Sequence, residues 1–371
     1  MAVKHKQLNI LIGDHFFPGS LGASYARAFE SLGNVCVRFE LSLTTYSTIQ
    51  HPGTTRLTRA HCIKAMNQAL RKIVHETRPD LIFIIKGKEL DPEALNDLRE
   101  LSTAPIFNFN PDGVWSPFSS SDYIVDCAPL YDCLLTPRRW ELPKLKQLGG
   151  QHVTWLPYGY DEKLHYPTTI TEADRALYHA AISFIGTWAP EDRISLLNDI
   201  ARYGNDLRIW GSSWEKLKPL GTLFHMLSIL GLHIPKQLLG LGSPLHNHIM
   251  GYPVYGELFL KVVQASDINL AFLRKADRDD HTMRTFELPA CGVFVIAERT
   301  QDHQGFFHED IEMVFFNGDK ELLEKIGFYK KRPRLRQKIA RAGLERLRSS
   351  PYRYTDRAKT ILSLFETIQS I

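Results

Sequence analysis

The chain has 371 residues and a mass of 42.5 kDa, which is long enough for two domains of ordinary size. Its hydrophobic fraction of 44% and charged fraction of 23% are those of a soluble globular protein. The net charge of +4 and the pI near 8.7 suit anionic substrates but give little support for nucleic-acid binding. No apolar run reaches the roughly 18 residues of a membrane span, the N-terminus lacks signal-peptide features, and the five cysteines contain no C-x-x-C pair. A reduced, cytoplasmic protein is therefore expected.

The first half of the chain alternates apolar strands with helices. Strands are predicted at residues 8–12, 35–39, 81–85, 106–110 and 131–136, and helices at 23–32 and 58–76. Such alternation predicts a parallel sheet in a Rossmann-like domain. The loop after the first strand contains Gly19 and Ser20 but not the pattern G-x-G-x-x-G, so a dinucleotide fingerprint is absent. This loop is either a plain connection or a ligand contact.

Two polar residues, Asn110 and Asp112, stand where the strand at 106–110 ends. Ligands of open α/β sheets bind outside the carboxyl ends of strands, which makes both residues candidates for contact with an acceptor. Asp112 also precedes Gly113 and fits an ordinary turn residue as well.

The second half of the chain repeats the alternation. A strand beginning at residue 181 meets Gly186, a helix starts at 190–193 and reaches about residue 203, and further strands and a helix are predicted over 207–211 and 255–271. Amphipathic helices at 321–329, 333–349 and 355–369 follow. The helix at 333–349 is rich in Arg and is either a solvated face or a surface for anionic lipid.

A long excursion at about 216–252 interrupts this second half. It is rich in Leu, Gly and His and poor in acids. It predicts either a further core helix or a surface insertion that meets a lipid-linked acceptor, a membrane or a partner chain. His246 and His248 lie in it without a third metal ligand nearby, so no metal site is predicted.

The stretch at 279–300 carries the strongest chemical signal. A polar loop leads into a helix at about 285–291, Gly292 ends the helix, and a buried strand follows at 293–297. A helix N-terminus offers free backbone N–H groups and the positive end of the dipole, where phosphate binds. Arg284 adds a fixed charge with a bidentate donor fork, and Glu287 can accept two hydrogen bonds from a vicinal diol such as a ribose. These features predict a nucleotide-diphosphate site.

The run Arg284-Thr-Phe-Glu-Leu-Pro-Ala-Cys-Gly292 resembles the R-x-F-E-x-x-A-C-G element of GT-B glycosyltransferases. The resemblance is to the family 1/4-like group that includes the spore-maturation protein CgeB. Family-4-type enzymes carry E-x7-E, and Glu287 matches the second Glu, whereas Asp279 stands in place of the first. The segment at 158–167 resembles their interdomain segment, with His165-Tyr-Pro at the place of F-x-P. The resemblance is specific over the second half of the chain and covers the first 150 residues only in architecture.

This resemblance implies an α/β fold of the GT-B type. Two Rossmann-like domains, at 1–160 and 161–353, are expected to face each other across a cleft, with a C-terminal helix at 354–371 that crosses back. It implies Asp279, Arg284 and Glu287 as catalytic residues. Donor-binding residues are implied at Gly186, Thr187, Arg193, Gly211, Val254, Tyr255, Thr285 and Phe286, and acceptor contacts at Gly19, Ser20, Asn110 and Asp112. Arg193 fits an ordinary helix-surface arginine as well.

The implied activity is transfer of a sugar from a UDP- or GDP-linked donor to a glycan, glycolipid or other surface-polysaccharide acceptor, retaining by default. Arg284 and the helix N-terminus would stabilise the departing phosphate, Glu287 would hold the ribose, and Asp279 the donor sugar. No metal and no cofactor besides the donor substrate is expected, because a D-x-D acid pair with neighbouring ligands is absent. A sugar-nucleotide epimerase and a non-catalytic polysaccharide-assembly protein are alternatives on the same fold. Peripheral contact with the inner face of the membrane is a further expectation, and nucleic acid is not an expected partner.

Overall fold

The computed structural model describes residues 6–43, 45–46, 59–116, 122–188, 193–204, 206–214 and 244–370, and every structural statement below concerns this part of the chain. It divides into two compact units. Unit 1 comprises the described residues up to Asp161, together with Ala276–Arg278 and those from Tyr352 onward. Unit 2 comprises the described residues of Glu162–Lys275 and Asp279–Pro351.

Unit 1 is built on a six-stranded sheet in the order β2-β1-β3-β4-β5-β6, parallel throughout. Its strands are β1 Asn9–Asp14, β2 Val35–Glu40, β3 Leu81–Ile85, β4 Ile106–Phe109, β5 Cys133–Thr136 and β6 His152–Trp155. Its helices are α1 Leu21–Ser31, α2 Arg59–Thr77, α3 Pro92–Leu101, α4 Asp122–Cys127, α5 Leu142–Gln147 and, at the far end of the chain, α13 Tyr354–Gln369. The central strand β3 is buried along its whole length, as covered parallel strands are.

The last helix, α13, belongs to unit 1 because it packs on α1. The ring of Tyr354 lies 5.1 Å from that of Tyr25, between their centres, and Ala358 is fully buried. The guanidinium of Arg357 donates to the carbonyl oxygen of Tyr158 at 3.0 Å and 2.9 Å. The predicted C-terminal helix that returns to the first half of the chain is therefore confirmed.

Unit 2 is built on a five-stranded parallel sheet in the order β11-β10-β9-β7-β8. Its strands are β7 Ala180–Ile185, β8 Leu207–Trp210, β9 Ser266–Ala271, β10 Val295–Glu298 and β11 Val314–Phe316. Its helices are α6 Glu172–Tyr178, α7 Arg193–Arg202, α8 Gly256–Ala265, α9 Arg284–Ala290, α10 Gln301–Phe306, α11 Gly318–Lys330 and α12 Pro333–Ser349. Phe184 and Phe272 stack in the core with their ring centres 5.3 Å apart.

Residues 216–243 of the excursion predicted at 216–252 lie outside the described residues. The predicted helix start at 190–192 also lies outside them. Its last part returns to the core of unit 2, where Leu245 is fully buried and Met250 N donates to Ile209 O at 2.8 Å. Nδ1 of His248 hydrogen-bonds the carbonyl oxygen of Leu207 at 2.9 Å, a structural contact that needs no metal. Among the described helices, none is long and apolar enough to cross a bilayer.

Candidate functional site

The strand order of unit 2 defines where a ligand is expected. The chain runs from β7 outward to β8 and then crosses β7 to reach β9. The carboxyl ends of β7 and β9 are therefore the switch point of the sheet, where ligands of open α/β sheets bind. Gly186 directly follows β7, and the polar loop at 279–283 after β9 leads into α9. The residues predicted for the diphosphate thus follow the two strands that meet at the switch point.

Arg284, the first residue of α9, has its guanidinium fixed by three contacts. One nitrogen pairs with the carboxylate of Glu287, and Nε donates to the carbonyl oxygen of Ile185, the last residue of β7, at 3.4 Å. The guanidinium carbon lies 4.9 Å from the ring centre of Phe259 in α8. The side chain remains 23% exposed. Because α9 spans only seven residues, its dipole is short, and this guanidinium is the stronger source of positive charge at the switch point.

Glu287 lies one turn into α9, and its carboxylate is almost completely buried. Besides the pairing with Arg284, Oε1 lies 3.6 Å from Nε2 of His165. Burial, together with the charge of Glu287, raises the pKa of the Cys291 thiol, which therefore stays protonated near neutral pH. The predicted contact of Glu287 with a ribose stays a prediction. The geometry adds a second task, which is to orient Arg284.

Gly186 and Gly211 bring the ends of β7 and β8 into backbone contact. Gly186 N donates to Trp210 O at 2.9 Å, and its own carbonyl oxygen accepts the indole N–H of Trp214 at 2.8 Å. Gly211 has a φ of +141°, and a Cβ there would overlap the carbonyl of Gly186. Thr187 is exposed, with Oγ1 3.2 Å from the hydroxyl of Ser212. Gly186 and Gly211 thus contact each other with no side chain between them, and Gly186 is half-buried whereas Gly211 is buried.

The remaining predicted donor residues fall into exposed and buried groups. Tyr255 is 41% exposed and precedes α8, whereas Val254 beside it is buried. Arg193 is only 6% exposed at the start of α7, so its interpretation as a helix-surface arginine is wrong. Thr285 and Phe286 are fully buried. Their predicted contact with a donor stays a prediction, and the burial restricts it to backbone groups.

The polar loop at 279–283 is tied to the first turn of α10. Thr300 Oγ1 donates to the carbonyl oxygen of Asp280 at 2.6 Å, and Nδ1 of His281 lies 2.8 Å from a carboxylate oxygen of Asp302. Asp279 is buried at the start of the loop, where its N–H donates to the carbonyl oxygen of Arg274 at 3.3 Å. The loop that carries Asp279 and leads to Arg284 is therefore held by side chains of a neighbouring helix.

His303 completes this attachment as a neutral imidazole. Its Nδ1 lies 2.6 Å from the carbonyl oxygen of Glu298, which can only accept, so Nδ1 carries the proton. Nε2 must then accept from the hydroxyl of Thr285, 2.8 Å away. The ring stacks on Phe315, with 5.7 Å between the ring centres. Complete burial lowers the pKa of His303 to about 4.

We expect His303 to make the free energy of unfolding depend on pH. In the unfolded chain its pKa is near 6.5, and in the folded chain it is about 4. Below pH 6.5 the unfolded chain therefore binds a proton that the folded chain does not. The contribution of His303 to the free energy of unfolding is complete above pH 6.5 and is lost as the pH falls towards 4. Between pH 7 and pH 5 this loss is about 2 kcal/mol. Urea unfolding at pH 7 and pH 5 measures the free energy of unfolding at both values. The decrease between them should be smaller in His303→Gln than in the original chain.

The control for this prediction is His308→Gln. His308 also pairs with a carboxylate, that of Glu312, but its side chain is 66% exposed. This substitution should leave the pH dependence unchanged. An identical loss of stability in the His303→Gln variant and the original chain would contradict the role given to the buried imidazole.

In unit 1 the predicted acceptor residues lie near a strained lysine. Lys86 follows β3 with a φ of +63°, held by hydrogen bonds from its N–H to Phe109 O at 2.9 Å and from Asn108 Nδ2 to its carbonyl oxygen at 3.2 Å. Its Nζ lies 3.0 Å from a carboxylate oxygen of Asp112. Within the described part of the chain, the buried Nδ2 of Asn110 has no hydrogen-bond partner. These groups at the ends of β3 and β4 are suited to bind hydroxyl groups.

Gly19 and Ser20, the other predicted acceptor residues, have structural tasks in the loop before α1. Gly19 has a φ of +89°, and Ser20 Oγ caps α1 by accepting from Ala23 N at 3.3 Å. The carboxylate of Asp14 accepts from Gly22 N at 2.7 Å, and burial raises the pKa of Asp14 to about 6. The first N–H groups of α1 are thus satisfied by the chain itself, which favours the interpretation as a plain connection.

Sequence reasoning missed three side chains of these sites. Phe259 looks like any core position of an amphipathic helix. Lys86 and His165 did leave a signal: Lys86 directly follows five apolar residues, at the carboxyl end of a buried strand, and His165 stands where the family has Phe in F-x-P. One pattern could have identified both Lys86 and His165. Each is a polar side chain at a position that is otherwise apolar, near the edge of a sheet where a ligand is expected to bind.

Comparisons with known proteins concern the fold and the class of the chain, not the individual site residues. A family model described as "Glycosyl transferase-like" matches residues 193–363, which include Arg193, Arg284 and Glu287. A sequence search of curated proteins returned no match. The fold is similar to that of sucrose-phosphate synthase from Thermosynechococcus elongatus, with a TM-score of 0.68 and 13% identity over 98% of this chain and 100% of the other.

Two further solved structures share the fold. Anabaena HepE in complex with UDP-glucose has a TM-score of 0.63 and 14% identity, covering 98% of this chain and all of its own. A protein from Listeria monocytogenes described as a putative UDP-N-acetylglucosamine 2-epimerase has a TM-score of 0.55 and 12% identity, covering 98% and 96%. The fold is thus GT-B, and together with the family match it confirms the predicted class, a glycosyltransferase. The narrower resemblance to the CgeB group stays a prediction.

Proposed function

We propose that the protein transfers a sugar from a nucleotide-diphosphate sugar to a hydroxyl group of a glycan, glycolipid or other surface-polysaccharide acceptor. The observation that carries this proposal is the guanidinium of Arg284, fixed at the switch point of unit 2 by Glu287 and the carbonyl of Ile185. UDP-glucose in the similar Anabaena structure supports a UDP-linked donor. A cytoplasmic location, with peripheral contact at the membrane, is part of the proposal, and the free state of all five cysteines supports a reducing compartment.

The proposed reaction exchanges one bond for another at the anomeric carbon. The acceptor oxygen bonds to that carbon while the bond from the carbon to the diphosphate oxygen breaks. The nucleoside diphosphate leaves with the electron pair, and the acceptor proton passes to an oxygen of the leaving phosphate or to water. Retention of the anomeric configuration is proposed from the resemblance to E-x7-E enzymes.

Arg284 stabilises the charge that develops on the departing diphosphate, because a fixed donor fork needs no reorganisation during the reaction. That charge takes the place of a metal ion in the proposed mechanism. Gly186 and Gly211 let the diphosphate approach the backbone closely. Glu287 accepts hydrogen bonds from the ribose and orients Arg284, and Asp279 accepts from hydroxyls of the donor sugar.

On the acceptor side, the Lys86–Asp112 pair and the Nδ2 of Asn110 offer donors and an acceptor for a polyhydroxyl compound. Lys86 is held in a left-handed conformation that costs about 1–3 kcal/mol in a residue other than glycine. Strain of this kind clusters at binding sites, which favours Asp112 as a ligand group over Asp112 as a mere turn residue.

A sugar-nucleotide epimerase is the second candidate, supported by the fold of the Listeria protein. An epimerase converts the free nucleotide sugar without any acceptor, whereas a transferase releases nucleoside diphosphate in proportion to glycosylated acceptor. Proton NMR of a nucleotide sugar incubated with the protein alone therefore separates the two activities.

The proposal is tested by isothermal titration calorimetry with UDP-, GDP-, TDP- and ADP-glucose. We expect binding of at least one with Kd in the micromolar to millimolar range of ordinary enzyme substrates. Free glucose and glucose 1-phosphate are the matched controls and should bind much more weakly, because they lack the nucleoside and the full diphosphate. If none of the four nucleotide sugars binds, the enzyme proposal fails and the non-catalytic alternative is favoured.

A further inference from the structure

His165 lies against the two residues on which the proposed donor site depends. Its Nε2 is 3.6 Å from Oε1 of Glu287, whose other carboxylate oxygen pairs with Arg284. Its ring packs edge-on against Phe259, with 5.5 Å between ring centres, and the same phenyl ring contacts the guanidinium of Arg284. His165, Glu287 and Arg284 therefore form one contiguous group, called here the His–Glu–Arg cluster.

The position of His165 is fixed by its neighbours in the chain. The carbonyl oxygen of Tyr166 accepts from Nε2 of Gln264 in α8 at 3.1 Å. Pro167 packs on Gly292 so closely that a Cβ at Gly292 would lie 3.2 Å from the proline ring. His165 is 9% exposed. Because the segment is anchored on both α8 and the end of α9, the imidazole is held beside Glu287, where burial limits screening by salt.

The charge of the His–Glu–Arg cluster depends on this imidazole. With neutral His165, the charges of Arg284 and Glu287 sum to zero, and Glu287 weakens the attraction of the guanidinium for a diphosphate. With protonated His165, the cluster carries a net charge of +1. Glu287 then interacts with two cations, so it neutralises less of the charge of the Arg284 guanidinium. An anionic ligand at Arg284 therefore favours the protonated imidazole.

We propose that His165 is a positioning residue of the donor site that acts through Glu287, so that binding of a nucleotide-diphosphate sugar takes up a proton on its imidazole. This inference rests on the proposed function. It adds that the affinity for the donor depends on pH, and it identifies the residue responsible.

The imidazole of His165 is the group of the His–Glu–Arg cluster whose ordinary pKa lies nearest neutrality. From α9 it meets Glu287, whose carboxylate also pairs with Arg284. From α8 it meets the uncharged ring of Phe259. The charged residues Lys163, Asp174, Glu257 and Lys261 line a neighbouring hollow of about 410 Å³ that Tyr166 also lines. An imidazole titrates between about pH 5 and 8, so donor affinity should be highest at the acidic end and fall as the pH rises.

The experiment measures the Kd of UDP-glucose, or of whichever nucleotide glucose binds in the panel above, from pH 5.5 to 8.5. A nucleotide sugar is preferred to UDP because both of its phosphates are substituted and do not titrate in this range, whereas the terminal phosphate of UDP itself titrates near pH 6. We expect the original chain to bind about tenfold more weakly at pH 8.5 than at pH 5.5, the change that one pKa unit of coupling produces. Calorimetry in buffers of different ionisation enthalpy should show uptake of a fraction of a proton.

His165→Gln keeps a polar side chain beside Glu287 but cannot be protonated, and His165→Phe keeps the ring against Phe259. Both should bind the donor with an affinity that is flat across this pH range and without proton uptake. His308→Gln is the matched control and should retain the original slope. Circular dichroism establishes that each variant is folded.

The outcomes distinguish the two proposals. If the original chain binds the nucleotide sugar but His165→Gln keeps the same pH slope and proton uptake, the inference about His165 is wrong while the proposed function stands. A purely structural role for His165 predicts weaker binding at every pH with an unchanged slope, and this result also overturns the inference. If no nucleotide sugar binds, both proposals fail together.

Discussion

Replacing Arg284 by alanine should lower the rate of glycosyl transfer by about 100-fold or more and weaken donor binding about tenfold or more. The guanidinium is the fixed cation at the switch point, and removal of one preorganised donor to a developing oxyanion costs about 10²–10³ in rate. Arg284→Lys keeps the charge but loses the planar fork, so an intermediate effect is expected. Calorimetry gives the donor affinity, and release of nucleoside diphosphate gives the rate.

Two comparisons make this result specific. Arg341→Ala removes an 82% exposed arginine that pairs with Glu345 on the surface of the same unit, and it should change neither affinity nor rate. Arg284→Ala also leaves the buried carboxylate of Glu287 with a weaker partner, so thermal unfolding must accompany the kinetics. Donor affinity that is unchanged in a folded Arg284→Ala variant would refute the assignment of the diphosphate to this residue.

Gly211→Ala should destabilise unit 2 by about 3 kcal/mol or more. A Cβ at Gly211 would overlap the carbonyl oxygen of Gly186 and lie 2.7 Å from its carbonyl carbon, and the φ of +141° is itself unfavourable for alanine. Both clashing atoms belong to backbone at the end of β7, so relief requires the two strand ends to separate. Urea unfolding followed by circular dichroism measures the loss.

Gly251→Ala is the matched control for this substitution. Gly251 also has a positive φ, +83°, but a Cβ there would meet no atom within 4 Å among the described residues. Its replacement should therefore cost only the conformational term, about 1 kcal/mol. Equal losses of the free energy of unfolding in the two variants would show that crowding at Gly186 adds nothing to the cost of Gly211→Ala. The ends of β7 and β8 would then not be held as closely as described.

The parallel sheets could be predicted from the sequence because a strand covered on both faces is a continuous apolar run. β3, predicted at 81–85, has those bounds in the structure, and so does α12, predicted at 333–349 from its amphipathic pattern. The short helices were harder. α6 has a capping box formed by Thr171 and Asp174, a signal present in the sequence, but its seven residues include none that is buried and so show no amphipathic period.

Only the part of the candidate site that lies within one contiguous sequence motif could be predicted. Arg284 and Glu287 are one helical turn apart, so their proximity follows from spacing alone. The contact of Glu287 with His165 joins residues more than a hundred positions apart, and no local pattern encodes it. Similarly, spacing gives no reason for His303 to bond Thr285 or for Lys86 to adopt a left-handed conformation. These arrangements depend on how strands and helices meet in three dimensions.

The return of α13 to unit 1 has a consequence for biosynthesis. The chain leaves the ribosome from its N-terminus, so all of unit 2 is synthesised before the helix that completes unit 1. Until then the face of α1 that bears Tyr25 lacks its cover of Tyr354 and Ala358, and the carbonyl of Tyr158 lacks its partner Arg357. The half of the protein that is made first therefore reaches its final packing last, and a nascent chain must protect an unfinished apolar surface throughout the synthesis of its second half.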